Sequence, residues 1–352
     1  MGVNIREIIP STAVENIDLD SLRYKVIAVD AYNALYQFLA AIRQPDGTPL
    51  MDSKGRITSH LSGLFYRTIN LFEHGLKVVY VFDGKPPEMK KGEIERRRKL
   101  RAEAMQKYMY AVSRGEIEAA RRYAQASSTL TSEMVNDAKR LLEAMGIPYV
   151  NAPAEGEAQA AFMTRRGDAW ATASQDYDSL LFGSPRLVRN LTITGKRKLP
   201  RKNIYVEIAP ELVMLDKLLR ELGLTRQQLI VLGILVGTDY NPEGVKGIGP
   251  KTALRMVKSY RSIEKLLEAI RPKMSEDPVK IYEYFLNPPV NEDYKLEWRQ
   301  PRDEQVYKIL VDEHDFNPER VKNALNRLRK AYNEHMRGKQ MGLDAWLKPG
   351  RA

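Results

Sequence analysis

Residues 24–38 read YKVIAVDAYNALYQF. The first half, YKVIAVD (24–30), is an apolar, β-branched run that reads as a strand and stops at Asp30. VDAYNALYQF then spaces its apolar residues along one face of an amphipathic helix. A strand that ends on a carboxylate and feeds a helix is the unit from which the rest of the chain can be read. LKVVYVFD (76–83), IPYV (147–150), AWATA (169–173) and RLVRN (186–190) repeat the strand half. SHLSGLFYRTINLFEHG, TSEMVNDAKRLLEAMG and EGEAQAAFMTRRG repeat the helix half, each closing at a glycine suited to a left-handed C-cap. This alternation predicts an α/β fold, a mostly parallel central sheet with helices on both faces. In such sheets ligands bind beyond the carboxyl ends of the strands.

Two segments depart from the rhythm. Residues 86–128 are charged, helix-prone and without a strand, which predicts an inserted helical element. From Lys90 to Arg122 there are eleven basic and five acidic residues, including RRRKLR at 96–101; taken alone, such a run is also what a solvated helix face looks like. NLTITGKRKLPRKNIYVEI (190–208) reads as a hairpin turning near Gly195, after which the chain becomes almost wholly helical. The predicted organisation is an N-terminal α/β region, 1–207, carrying the 86–128 insertion; a helical region, 208–337; and a flexible tail, 338–352, rich in Gly and Lys.

At 352 residues and 43% hydrophobic content the chain can bury a substantial core. Lys and Arg outnumber Asp and Glu by 56 to 45, a net charge of +11 that favours a polyanionic partner. No run approaches the roughly 20 apolar residues needed to cross a membrane, and MGVNIREIIPSTAVENIDLD lacks the basic-then-apolar pattern of a signal peptide. The expectation is an intracellular protein without a membrane partner. With no cysteine and four histidines, disulfides, thiolate metal sites and cysteine nucleophiles are excluded, and oxygen ligands remain.

Oxygen ligands stand at the predicted strand ends. Asp30 and Asp83 end strands, and Glu155 and Glu157 lie where a strand gives way to a helix. Asp176 and Asp178 interrupt ATASQDYDSLLF (171–182), and Asp239 follows the apolar run of ILVGTDY. Any one of them suits a helix start, where a carboxylate accepts from free amides and opposes the dipole. Seven sharing one edge of a sheet would repel severely without cations. Two Mg²⁺ ions, with Mn²⁺ as a substitute, suit an all-oxygen set and would form the clamp used for in-line displacement at phosphorus. A rival reading takes DYD as the Asp-x-Asp of a haloacid-dehalogenase-like phosphatase; that chemistry places its nucleophile after the first strand, whereas this motif comes late.

VFDGKPPEMKKGEIERRRK (81–99), AEGEAQAA (154–161), SQDYDSLLFG (174–183) and GTDYNPEGVKGIGPKTAL (237–254) closely resemble the structure-specific 5′-nucleases, the flap endonucleases in particular. The resemblance runs in order along essentially the whole chain. It implies a Mg²⁺-dependent enzyme that hydrolyses a DNA phosphodiester at the junction of branched duplexes, with an associated 5′-exonuclease activity, in lagging-strand maturation and base excision repair. It makes Asp30, Asp83, Glu155, Glu157, Asp176, Asp178 and Asp239 the metal-binding acids, with Asp30, Asp83 and Glu155 in the more directly catalytic part. Segment 86–128 becomes a helical arch, and Lys90 and Arg97 match basic residues at its base that contact the scissile phosphate. Tyr36 matches an aromatic residue that stacks on a nucleobase, although its spacing also fits a core tyrosine. Gly2 matches an amino-terminal glycine that lies near the DNA once Met1 is removed.

Residues 43–68 correspond to the part that receives a short 3′ flap, and Thr58 and Arg67 are carried over as contacts there. GVKGIGPKTALRMV falls in a predicted helix-hairpin-helix-like element, 238–258, in which Gly247 and Gly249 can bring backbone amides to a phosphate and Lys251 adds charge; a plain tight turn also fits. The resemblance adds a K⁺ at that element. Gln340, Leu343, Trp346 and Leu347 fit the Gln-x-x-aliphatic-x-x-aromatic-aromatic spacing of a motif that docks on the sliding clamp, PCNA, through 340–347. Leu347 departs from it, standing where a second aromatic is usual. A monomer is expected. Absence of cysteine and high charge content point to an archaeal, thermophilic source and thus to a cytoplasmic, nucleoid-associated protein. The alternatives are a clamp-tethered DNA-binding scaffold without catalysis, and a sibling 5′-nuclease acting mainly as an exonuclease or on other junctions.

Overall fold

In KVVYVF (77–82) alternate side chains serve opposite faces: Val78, Tyr80 and Phe82 enter one apolar cluster, Val79 and Val81 another. A strand buried on both faces needs a helical layer on each side. The computed structural model describes residues 2–44, 47–193, 195–198 and 205–347, without the side chains of 195–198, 205–207 and 336–347. Its seven-stranded sheet has the order β1 (Val14–Asn16), β9 (Glu211–Met214), β6 (Arg186–Arg189), β5 (Ala171–Ala173), β2 (Val26–Asp30), β3 (Lys77–Phe82) and β4 (Tyr149–Asn151). The five strands from β6 to β4 are parallel, and β9 pairs antiparallel with both β6 and β1. From β2 the chain moves to β3 and β4 on one side and later to β5 and β6 on the other. The carboxyl ends of β2 and β5 therefore flank the point where strand order reverses, the place where such sheets open a crevice.

Helices fill the connections. α1 (Ala31–Ala41) and α2 (Ser59–Glu73) follow β2. α2 buries Leu61, Leu64, Phe65, Ile69 and Phe72, and each such side chain contributes about 1.5–3 kcal/mol by leaving water. The inserted segment forms α3 (Lys91–Ser113) and α4 (Ile117–Ala126), which pack on each other; α3 buries only Glu93, Ala104 and Ala111. α5 (Ser132–Ala144) completes the layer on the face of α1 and α2. α6 (Gly156–Arg166), capped by Gly167 at φ +87°, covers the opposite face. There α7 (Asp178–Leu181), α8 (Leu215–Leu222), α9 (Arg226–Val236), α10 (Pro250–Ser259), α11 (Ile263–Ile270) and α12 (Pro278–Leu286) build a second cluster that also takes in Val3 and Ile5.

The structure differs from the sequence expectation in four places. Gly195 opens strand β7 (Gly195–Lys198), which pairs with β8 (Tyr205–Ile208), so it is not the turn; the connection, 199–204, lies outside the described residues. The boundary expected at 207 falls just before β9, which completes the main sheet. The helical region 208–337 does not stay together. After α12 an extended segment crosses back, with the Trp298 indole donating to the Val78 carbonyl at 2.9 Å and the Arg299 amide to that of Gly146 at 2.9 Å. This delivers α13 (Asp303–Tyr307) and α14 (Pro318–Leu347) to the first cluster, where Val306, Leu310, Val321 and Leu325 are buried. Finally, α14 continues through the boundary expected at 338. Gln340, Leu343, Trp346 and Leu347 have side chains outside the described residues.

Candidate active site

Each strand-end acid is held by the backbone that follows it. Asp30, last residue of β2, is the N-cap of α1 and accepts the Asn33 N–H at 3.0 Å. Asp83, one residue past β3, accepts the Gly156 N–H at the start of α6 at 2.6 Å. A Cβ on Gly156 would lie 2.7 Å from Asp83 Oδ1, so only glycine allows this approach. Glu155 is the N-cap residue of α6, and Glu157 lies in its first turn. Asp176 follows β5, and Asp178 opens α7 with Oδ1 accepting the Val3 N–H at 2.7 Å. Asp239 sits in a turn after α9 that Asn241 ties down: its Oδ1 accepts from Thr238 N at 3.2 Å and Oγ1 at 2.7 Å, and its Nδ2 donates to the Ile234 carbonyl at 2.7 Å.

The seven carboxylates form one electrostatic network at the point of strand reversal. Burial, then the charge of Asp83, pushes Asp30 well above the usual carboxylate range. Burial, then Asp178 and Asp30, does the same to Glu157. Burial with Asp239 and Asp176 brings Asp178 to about 7. Burial raises Asp83 and Glu155 as well, against the pull of Lys90. Two cations from the inserted segment reach in. Lys90 Nζ lies 2.6 Å from Glu155 Oε2 and 3.3 Å from Asp239 Oδ2, and these partners outweigh burial to hold its pKa above the ordinary lysine value. Arg97 pairs with Asp239 and, through Nε at 2.6 Å, with Glu93.

Among the described residues no three Asp, Glu or His side chains converge as a ready-made metal cage. Glu155 and Asp239 are held instead on Lys90 and Arg97. The donor set nevertheless fits hard divalent cations. It is all oxygen, its acids outnumber the two cations, and Glu157 Oε1 is buried without a hydrogen-bond partner.

The other residues singled out from the sequence fall in different surroundings. Gly2 lies against Asp178, whose carboxylate would be 2.7 Å from an added Cβ. Tyr36 is half-buried on α1 and outside the core; the Arg101 guanidinium of α3 stands 4.9 Å over its ring. Thr58 is buried ahead of α2. Arg67 turns inward, donating to the Leu191 carbonyl at 2.7 and 3.2 Å and to Asn70 Oδ1 at 3.1 Å, and burial lowers its pKa to about 10. Gly247, at φ +80°, and Gly249, N-cap of α10, have nothing within 4 Å of an added Cβ, which leaves that turn open to a close ligand; Lys251 is exposed beside it.

Two residues escaped sequence reading. Glu93 is 3% exposed and receives both Arg96, at 2.6 Å, and Arg97; its spacing of three and four residues ahead of them was the available signal. Asn33 gives its backbone N–H to Asp30 and its Nδ2 to Asp176 at 3.4 Å, a link across 143 residues with no local signature.

A family model described as the XPG N-terminal domain matches residues 1–104, and one described as the XPG I-region matches 146–239. Fold and acid cluster thus define a nuclease of the XPG class. The chain is 73% identical over 349 residues to flap endonuclease 1 of Hyperthermus butylicus, covering 99% of this chain and 100% of the relative. It is 67% identical over 349 residues to that of Staphylothermus marinus, with the same coverage. The solved flap endonuclease-1 from Methanococcus jannaschii superposes with a TM-score of 0.74 at 42% identity, covering 95% of this chain and 99% of that one. The chain belongs to the flap endonuclease 1 family.

Proposed function

We propose that the chain cuts the 5′ flap of branched duplex DNA at the junction, leaving a 5′-phosphate and a 3′-hydroxyl. The observation that carries this reading is the gathering of seven carboxylates at the reversal point of a parallel sheet, beside a basic helix that supplies Lys90 and Arg97. Asp30, Asp83, Glu155, Glu157, Asp176, Asp178 and Asp239 would hold two Mg²⁺ ions, with Mn²⁺ as a substitute. Such ions lower the pKa of bound water and stabilise charge on the attacking and leaving oxygens. Lys90 and Arg97 would exchange Glu155 and Asp239 for the non-bridging oxygens of the scissile phosphate, a charge-assisted contact at the group whose negative charge rises.

The basic arch, with Tyr36 beneath Arg101, suits a single strand that offers phosphates and base faces together. The open turn at Gly247, Gly249 and Lys251 suits duplex phosphates and a K⁺ ion, and residues 340–347 would dock on the sliding clamp; Thr58 and Arg67 are assigned to a 3′-flap pocket by resemblance alone, which would require Arg67 to release the Leu191 carbonyl and Asn70. In this reading Gly2 lies at the DNA beside the acids. Specificity comes from shape, since these contacts read backbone and not base edges. The enzyme would act as an intracellular monomer in lagging-strand maturation and base excision repair, with an associated 5′-exonuclease activity.

The test is an end-labelled duplex carrying a 5′ flap and a one-nucleotide 3′ flap, incubated with Mg²⁺ or EDTA beside single-strand and blunt-duplex controls. A single Mg²⁺-dependent cut at the junction, absent from the controls, is expected. Tight binding without a cut would move the chain to the scaffold class, and efficient degradation of blunt duplex would make it chiefly an exonuclease.

A further inference from the structure

Asn33 and Gln37 stand four residues apart on α1, so their side chains meet on one helix face. Gln37 Nε2 donates to Asn33 Oδ1, and Gln37 Oε1 accepts the Thr192 hydroxyl at 2.5 Å. Asn33 Oδ1 also faces the backbone N–H of Gln175 at 3.4 Å. A backbone amide can only donate, so it fixes which end of the Asn33 amide is oxygen. The NH₂ end is thereby turned to Asp176 Oδ2, at 3.4 Å. The donors point one way throughout: Thr192 to Gln37, Gln37 to Asn33, Asn33 to Asp176. Aligned dipoles of this kind polarise one another and present their positive end to the terminal carboxylate. The backbone N–H of Asn33 meanwhile binds Asp30 Oδ1 at 3.0 Å, so one residue touches the acids on both sides of the strand-reversal point.

These groups line a shallow crevice formed by Asp30, Asn33, Gln37, Gln175, Asn190 and Thr192 with their apolar neighbours. They are already paired with one another, which argues for a supporting scaffold and against a separate ligand site. We propose that Asn33 is a positioning residue for the Asp176 carboxylate, and that Gln37 and Thr192 lock its amide in the orientation that donates to Asp176. The proposal rests on the reading of Asp176 as a metal-binding acid. Groups that orient a ligating carboxylate in this way typically govern metal affinity about 10- to 100-fold.

The experiment measures Mn²⁺ binding to the full, DNA-free chain by the electron paramagnetic resonance signal of free Mn²⁺, and in parallel the Mn²⁺ dependence of flap cleavage. Asn33→Leu should weaken Mn²⁺ binding about tenfold. Its half-saturating Mn²⁺ for cleavage should rise by the same factor, with kcat largely recovered at saturating Mn²⁺. Gln37→Met should give a smaller loss, and the double variant no more than Asn33→Leu alone, because Gln37 acts through Asn33. Asp176→Asn is the reference. If it loses Mn²⁺ affinity while Asn33→Leu and Gln37→Met bind as the wild type does, the proposal is overturned and the metal reading stands. If Asp176→Asn itself binds as the wild type does, the metal reading falls and the proposal with it. Should Asn33→Leu not fold, Gln37→Met, one bond further from Asp176, decides by the same comparison.

Discussion

Asp178 shows at the scale of one residue how burial and charge oppose each other at this site. It is 5% exposed and faces Asp239, Asp176 and Glu157, and its Oδ1 accepts the Val3 amide at 2.7 Å. An asparagine can keep that bond through its carbonyl oxygen while removing a repelled charge. Asp178→Asn is therefore expected to raise stability in EDTA by about 1 kcal/mol, read as a higher unfolding temperature, and to lose Mg²⁺-dependent cleavage. A fall in unfolding temperature would show that the carboxylate is better accommodated than its neighbours suggest. Arg97 is the complementary case, a cation held by Glu93 and Asp239 and proposed to pass to the scissile phosphate. Arg97→Ala should slow single-turnover cleavage about 10²- to 10³-fold while changing flap-DNA affinity far less. Equal losses in both would reduce Arg97 to a general phosphate contact.

At the scale of elements, the site depends on how closely helices approach one another and the sheet. α1 carries Asp30, Asn33 and Tyr36, and it is seated against α2 at Gly63, where an added Cβ would lie 2.2 Å from Phe38 Cγ. Neither side has slack: Phe38 is 3% exposed and Gly63 is buried in mid-helix. Gly63→Ala is expected to cost about 1–3 kcal/mol by overpacking, despite alanine's better helix propensity. The measurement is a lower urea midpoint at unchanged m-value. A stabilised variant would mean that α2 can slide. The arch contrasts with this seat. α3 has only three buried residues and meets the acids through Lys90 and Arg97, with Glu93 beneath Arg97, while α4 packs against it.

Across the whole molecule, His60 of α2 lies in a buried junction where His314, 4% exposed, stands 3.4 Å from Asp52 and 3.6 Å from Asp137 of α5. His60 is 1% exposed, neither ring nitrogen has a hydrogen-bond partner, and burial together with His314 lowers its pKa to about 3. The folded state keeps His60 neutral where the unfolded chain, at 6.5, binds a proton. Its contribution to stability is thus full above pH 6.5 and is lost as the pH falls from 6.5 toward 3. The raised acids of the site act in the opposite direction in wild type and His60→Asn alike, so the His60 effect is read as a difference: along that range the wild type should lose stability relative to His60→Asn with a slope equivalent to one proton, seen in their unfolding temperatures. Equal slopes would place the acid sensitivity elsewhere.

What the sequence determined by itself was everything carried by neighbours along the chain. Strand, terminal acid and helix start are contiguous, so Asp30, Asp83, Glu155, Glu157, Asp176 and Asp178 could be placed at strand ends before any pairing was known. The charged insertion was legible for the same reason, as one unbroken run. β1 and β9 were not, because VEN holds a single apolar residue and ELVM runs straight into the helical LDKLLREL, so both are defined only by pairing with each other and with β6. Only the tertiary structure decided that β5 returns beside β2 and so brings Asp176 to Asn33. It alone brought Val3 to Asp178 across 175 residues, turned Arg67 inward, and sent α13 and α14 back to the first core. The physical reason is that hydrophobic periodicity says which face of an element is buried but not against what. That choice is made by the burial of whole layers together, and the electrostatics of the site follow from it.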